Sequence, residues 1–244
     1  MTEVYVDEVP APRRIEGAPQ RVAMIGRSHW GPRHRPVEIA SVADFDREFG
    51  GGVSPLRRAV AAYVGQGGDP LLVVRGSDLA AALAALDPHG VTVLVVAPGL
   101  LRGREAEVHA WCVDHRCFLL ADSPEGEVPP GLAENAAAYA PGLRGPAGRP
   151  VWTSAAVAGV VRRIDLATGV WAAPSGQDAD IRGLTPDPDP ATDGANLVRT
   201  APDERLLVWG ARTASSDPEW KYVNVRRLAL WLEQSIDQGT QWAV

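Results

Sequence analysis

Between residues 70 and 122 the chain alternates short all-apolar runs with helical ones, and that alternation constrains the fold more than any other feature. Leu71–Val74, Val91–Val96 and Cys117–Ala121 carry no polar alternation, so each reads as a strand buried on both faces. Helical stretches at Ser77–Leu86 and Glu105–His115 lie between them. Strands of this kind separated by helices indicate a parallel sheet covered on both sides. The expected fold class is therefore α/β (α+β), a largely parallel or mixed sheet with flanking helices. The strand Arg21–Gly26 precedes this unit, and two helices lead into it. Ser41 caps the first, with Asp44 three residues on and Gly50 closing it. Ser54 and Pro55 open the second, which places Leu56, Ala59, Val60, Tyr63 and Val64 on one stripe until Gly65 stops it.

After residue 122 the signal changes. Residues 122–153 are rich in Pro and Gly and read as a connection over the surface, with one or two helical turns near Leu132–Tyr139. Ala155–Leu166 reads as a helix. Leu197–Thr200 and Leu206–Ala211 read as a hairpin, and a last helix covers roughly Asn224–Gln238 before Gly239. At the other end, Val4, Val6 and Val9 alternate with Glu3, Tyr5 and Asp7 as a short strand, which Pro10 and Pro12 separate from the body. Such a strand pairs either with its own sheet or outside its own domain. The expected organisation is an arm at 1–20, an α/β domain at 21–150, and a carboxyl-terminal region at 151–244 packed with it.

Composition excludes several function classes. The net charge of −6 opposes sequence-blind binding to nucleic acid and docking on anionic membranes. Lysine occurs once, at Lys221, so arginine carries nearly all positive charge. No apolar run approaches the roughly 18 residues that span a bilayer, and MTEVYVDEV has neither the basic nor the apolar region of a secretory signal. Cytoplasmic assembly follows as an expectation. Cys112 and Cys117 are too few for a disulfide framework, and a helix-to-strand junction with two buried thiols explains them better than zinc.

Sites for chemistry are missing from the pattern. Gly65–Gly68 follows a helix and precedes a strand, the reverse of a phosphate-binding loop. Ser28 and His29 match no nucleophile elbow, and His34, His89, His109 and His115 are scattered. DPDPATDG, within the solvated stretch Asp178–Gly194, has the wrong spacing for a calcium loop. No catalytic, metal-binding or cofactor-binding residue is assigned, and no enzyme activity is expected. The tryptophans Trp171, Trp209, Trp220, Trp231 and Trp242 do not repeat on one face, so they are expected to fill a core or a subunit contact.

The stretch VWGARTASSDPEWKYVNVRRL at 208–228, then WLEQSI and GTQWAV, resembles the carboxyl-terminal region of contractile tail-sheath proteins of myophages and phage-derived injection systems. AVAGVVRRIDLATGVWAAPSG at 156–176, SVADFDREFGG at 41–51, AVAAYVGQGGDPLLVVR at 59–75 and the amino-terminal VYVDEV with RRIEGAPQRVAMIGRSHWGP resemble the same family in the same order. The resemblance implies a structural subunit that stacks into a helical sleeve around an inner tube. Its partners would be other sheath subunits, the tube protein, and baseplate or cap proteins, with no nucleic acid, membrane insertion or cofactor. It makes Val4, Tyr5, Val6, Asp7, Glu8 and Val9 an intersubunit strand. It marks Trp209, Arg212, Ser216, Asp217, Trp220, Tyr222, Asn224, Arg226 and Arg227 as motif residues, with Trp209, Trp220 and Tyr222 holding the core together. Family members usually continue past the position of GTQWAV, so a shortened member is expected, or alternatively a capping or baseplate-proximal component that starts or ends polymerisation.

Overall fold

The computed structural model describes residues 19–190 and 194–237; the segment Val4–Val9, Trp242 and Gly239 lie outside the described residues. The chain opens with β1 (Val22–Gly26), β2 (Val37–Ile39), α1 (Val42–Phe49), α2 (Pro55–Gly65) and β3 (Leu71–Arg75). Then come α3 (Leu79–Ala84), β4 (Val93–Val96), α4 (Pro98–Leu101), α5 (Glu105–Asp114), β5 (Phe118–Asp122) and β6 (Ala136–Ala140). The short strands β7 (Leu143–Arg144) and β8 (Pro150–Val151) lead to α6 (Thr153–Ala167). Last are β9 (Asp180–Ile181), β10 (Thr185–Pro186), β11 (Asn196–Thr200), β12 (Leu206–Val208) and α7 (Val223–Asp237).

One sheet of nine strands runs β2-β3-β1-β4-β5-β6-β11-β12-β9, and a small one runs β10-β7-β8. The strands from β3 to β11 are mutually parallel, whereas β2 on one side and β12 and β9 on the other are antiparallel to their neighbours. The path goes outward from β1 to β3 and then back past β1 to β4, the doubly wound pattern. Right-handed crossovers put α3 and α5 on the face opposite α2. Both faces are thus covered, which is why Val22, Ala23, Met24 and Ile25 of β1 are all buried.

Local signals act as the sequence predicts at several element ends. The Ser41 hydroxyl accepts from the Asp44 amide at 3.1 Å and donates to the Asp44 carboxylate at 2.9 Å. Gly50 closes α1 at φ 82, a conformation that favours glycine. Ser54 caps α2 through the Arg57 amide. Cys112, in α5, and Cys117, just before β5, are free and buried at a helix-to-strand junction, and burial pushes the Cys117 thiol up.

On the other face, α6 lies against α2. A Cβ on Gly159 would sit 2.4 Å from the Tyr63 carbonyl oxygen, so glycine sets how closely the helices approach. Asp122, at the end of β5, accepts from the Ser154 amide at 2.6 Å and so ties the first turn of α6 to the sheet. Burial pushes its carboxyl up to about 6, even against that stabilising hydrogen bond.

Two expectations need correction. The Ala-rich stretch near Leu132–Tyr139 is no helical turn on a surface connection: Ala136–Ala140 is a fully buried strand between β5 and β11. Alanine is the strongest helix former, but the preference is small per residue, and a slot between two strands overrides it. The stretch Asp178–Gly194 is not wholly a solvated loop either. It contains β9, which forms one edge of the large sheet, and β10, which pairs with β7. Asp180 anchors it through Arg163 and Arg182, each at 2.7 Å. Burial works against the Asp180 charge, but its hydrogen bond from Arg182 and the two guanidiniums outweigh it and hold the carboxyl below the usual range.

Candidate subunit-contact surface

The motif 208–227 begins where β12 ends and finishes in the first turns of α7. Between them the chain folds back on itself. Arg212 and Tyr222 form an antiparallel bridge, the Thr213 amide donates to the Lys221 carbonyl at 2.9 Å, and the Val223 amide donates to Ala211 at 2.9 Å. The tip is held by short-range side-chain bonds of the kind Ser and Asp make in turns. The Asp217 amide donates to the Ser215 hydroxyl at 3.0 Å, and the Glu219 amide donates to the Asp217 carboxylate at 2.9 Å. Ser216 is exposed at this tip.

Asn196 fastens the loop to the sheet. Its Oδ1 accepts from the Arg212 amide at 2.7 Å, and its Nδ2 donates to the carbonyls of Arg212 at 2.7 Å and Ala138 at 3.2 Å. A Cβ on Gly210 would come within 2.5 Å of Asn196 Oδ1, so this approach requires a glycine. Helix α7 then crosses the amino-terminal edge of the parallel strands. Arg226 donates to Asn135, just before β6, at 2.6 Å, and its guanidinium lies 4.5 Å from the Trp220 ring centre. Gln234, further along, donates to the carbonyls of Val91, His115 and Arg116, ahead of β4 and β5. Arg227 forms a bidentate ion pair with Asp165 of α6, with side chains only 3% and 4% exposed. Asn224 donates to the Trp171 carbonyl at 2.9 Å.

The motif therefore has two sides. The Arg212 backbone and Arg226 tie the loop and α7 to the sheet, Arg227 and Asn224 tie α7 to α6 and the segment after it, and Asp217 holds the tip of the turn. Trp209 and Tyr222 do not fill the core as expected, being 53% and 50% exposed; Trp220 is partly buried under Arg226. Trp171, Val225 and Leu166 are exposed too. Large aromatic groups left in water on a braced scaffold suit a protein contact. Sequence reading missed the partners of these motif residues, namely Asn135, Asp165, Asn196 and Gln234. For Asn135 and Asn196 the available signal was a lone amide directly ahead of an apolar run, as in NAAAYA and NLV; Asp165 and Gln234 carried no such signal. Among the described residues no group of three His, Cys, Asp or Glu could hold a metal ion, and no helix is long and apolar enough to cross a membrane.

The fold as a whole is shared with contractile sheath proteins of known structure, and part of the chain is similar in sequence to a prophage tail sheath protein. Particular relatives make the relationship concrete. A putative prophage major tail sheath protein of Pseudomonas aeruginosa (strain UCBPP-PA14) is 32% identical over 111 residues, which span 40% of this chain and 28% of the relative. The helical sheath of the anti-feeding prophage in its contracted state is 28% identical, with a TM-score of 0.77 over 99% of this chain and 76% of that one. A chain of the anti-feeding prophage baseplate is 26% identical, with a TM-score of 0.75 over 99% of this chain and 76% of that one. No protein-family model matches the chain.

Proposed function

We propose that this chain is a structural subunit of a contractile tail sheath or contractile injection system, assembling with other copies into a helical sleeve around an inner tube. The observation that carries the reading is the match of 99% of the chain to a helical sheath at a TM-score of 0.77. The role is structural, without catalysis, and its place is a phage tail or phage-tail-like particle. Rigid braced subunits that present aromatic contacts can rearrange as bodies, which contraction requires. Trp209 and Tyr222 supply part of the contact, while Arg212, Ser216, Asp217, Trp220, Asn224, Arg226 and Arg227 shape and hold the loop that presents them. Val4, Tyr5, Val6, Asp7, Glu8 and Val9 add a strand to a neighbouring subunit's sheet, where main-chain hydrogen bonds hold partners together during rotation. Sedimentation velocity tests the reading: association that rises with protein concentration and is lost when residues 1–10 are removed supports it, and a monomer at all concentrations sinks it.

A second reading is a baseplate-proximal or capping component that starts or ends polymerisation. It is favoured by the comparable likeness to a baseplate chain. Added to a full-length sheath protein at substoichiometric ratio, such a component shortens tubes or increases their number. A plain sheath subunit does neither.

A further inference from the structure

We propose that the cleft at the carboxyl ends of β1 and β3 binds a phosphate-type oxyanion. In open α/β sheets ligands bind beyond the carboxyl ends of the strands; the winding here reverses between β1 and β4, one strand over, and Arg27 after β1 borders both places. Here β1 ends at Gly26 and β3 at Arg75, and between the segments that follow them lies a cavity of about 420 Å³. Its walls include Arg27, His29, Arg33, His34, Ser54 and Arg75, and among the described residues no Asp or Glu lines it. In a chain of net charge −6, a concave site with three arginines and no carboxylate is a local reversal of sign.

The arginines divide into one that builds and two that are free to bind. Arg75 is committed to the loop, donating to the carbonyls of Ser28 at 2.6 Å, Gly31 at 2.6 Å and His29 at 3.2 Å. That loop is fixed further by the His34 amide, which donates to the Arg75 carbonyl at 2.9 Å, with His34 at a left-handed φ of 47. The His34 Nε2 is buried without a hydrogen-bond partner. It packs against Gly76, where a Cβ would lie 2.7 Å away. The guanidinium groups of Arg27 and Arg33 make no hydrogen bond or ion pair among the described residues. Pro55, the first residue of the 11-residue α2, also lines the cleft, so the positive end of that helix adds to the field. A planar fork with five donors fits phosphate oxygens in pairs.

Arg27 and Pro55 also border a second cavity of about 290 Å³, lined by Ala97, Pro98, Leu100 and Trp152. The anion's source is thus either free phosphate, or an ester whose apolar part enters that second cavity. The site stands independently of the sheath reading. Isothermal titration calorimetry with pyrophosphate and with AMP, each against sodium chloride at matched ionic strength, tests it. Saturable binding is expected, weakened by about tenfold or more in Arg27→Gln/Arg33→Gln and unchanged in Arg102→Gln, an exposed arginine elsewhere. Tighter binding of AMP assigns an ester, and equal or tighter binding of pyrophosphate assigns the free anion. Absence of saturable binding for both, or affinity unchanged in the double variant, overturns the proposal.

Discussion

Replacing Asp165 by Asn should destabilise the protein by about 3–5 kcal/mol, the range seen when one partner of a buried ion pair is removed. The two side chains are 3% and 4% exposed, so water cannot substitute for the lost charge, and Asp165 is the acceptor for both Arg227 terminal nitrogens. Asparagine keeps the shape of the site, so no cavity confuses the measurement, but it presents an NH2 group to one of those nitrogens. For a domain of this size the loss corresponds to a melting temperature lower by about 6–20 °C. Urea unfolding followed by circular dichroism gives the free energy directly. The companion variant Asp165→Leu/Arg227→Met removes both charges and keeps the volume, and should lie within about 2 kcal/mol of the wild type. A single-variant cost under about 1 kcal/mol, or a double variant as damaged as the single, would refute the claim that this pair locks α7 onto α6.

Three more outcomes follow from the same structure. Gly159→Ala gains about 1 kcal/mol of helix propensity, but the added carbon meets the Tyr63 carbonyl at 2.4 Å. Overpacking of about 1–3 kcal/mol or more outweighs that gain, so thermal unfolding should show net destabilisation. Asp122 titrates at about 6 in the fold, against 3.8 for the ordinary group. The folded state therefore binds its proton more tightly than the unfolded state does. Stability from this group is highest below pH 3.8 and falls as pH rises through about 6, an upper limit of about 3 kcal/mol. Asp122→Asn should accordingly match or exceed the wild type at pH 7 and lose that advantage near pH 4, as read by urea midpoints at the two pH values. Trp209→Ala/Tyr222→Ala should cost the monomer about 1–3 kcal/mol, because close to half of each ring is buried, and leave it folded. It should weaken self-association by about 30-fold, measured by sedimentation, if these rings are contact anchors.

The sheet's centre was legible because burial on both faces leaves no choice of residue: β1, β3, β4 and β5 are runs of Val, Leu, Ile and their like. The helix starts at Ser41 and Ser54 were legible because a hydroxyl cap is a local device. What stayed hidden depends on contacts between distant residues. AAAYA becomes β6 only because β5 and β11 flank it, and β2, β7, β8, β9 and β10 are too short to carry a period of their own. The motif residues were picked out by resemblance, yet their division into bracing and exposed groups needed Asn135, Asp165 and Asn196 in place. Trp209 and Tyr222 misled for a simple reason: an aromatic ring reads alike whether it fills a core or awaits a partner. The arginines of the oxyanion cleft come from separate loops that meet only when β1 pairs with β3.

Electron microscopy tests the central claim most directly. The purified chain should be imaged alone and together with the tube protein from the same source. A sheath subunit gives rings or helical tubes, with the tube protein inside them when it is present. Particles that remain monomeric under both conditions would contradict the account.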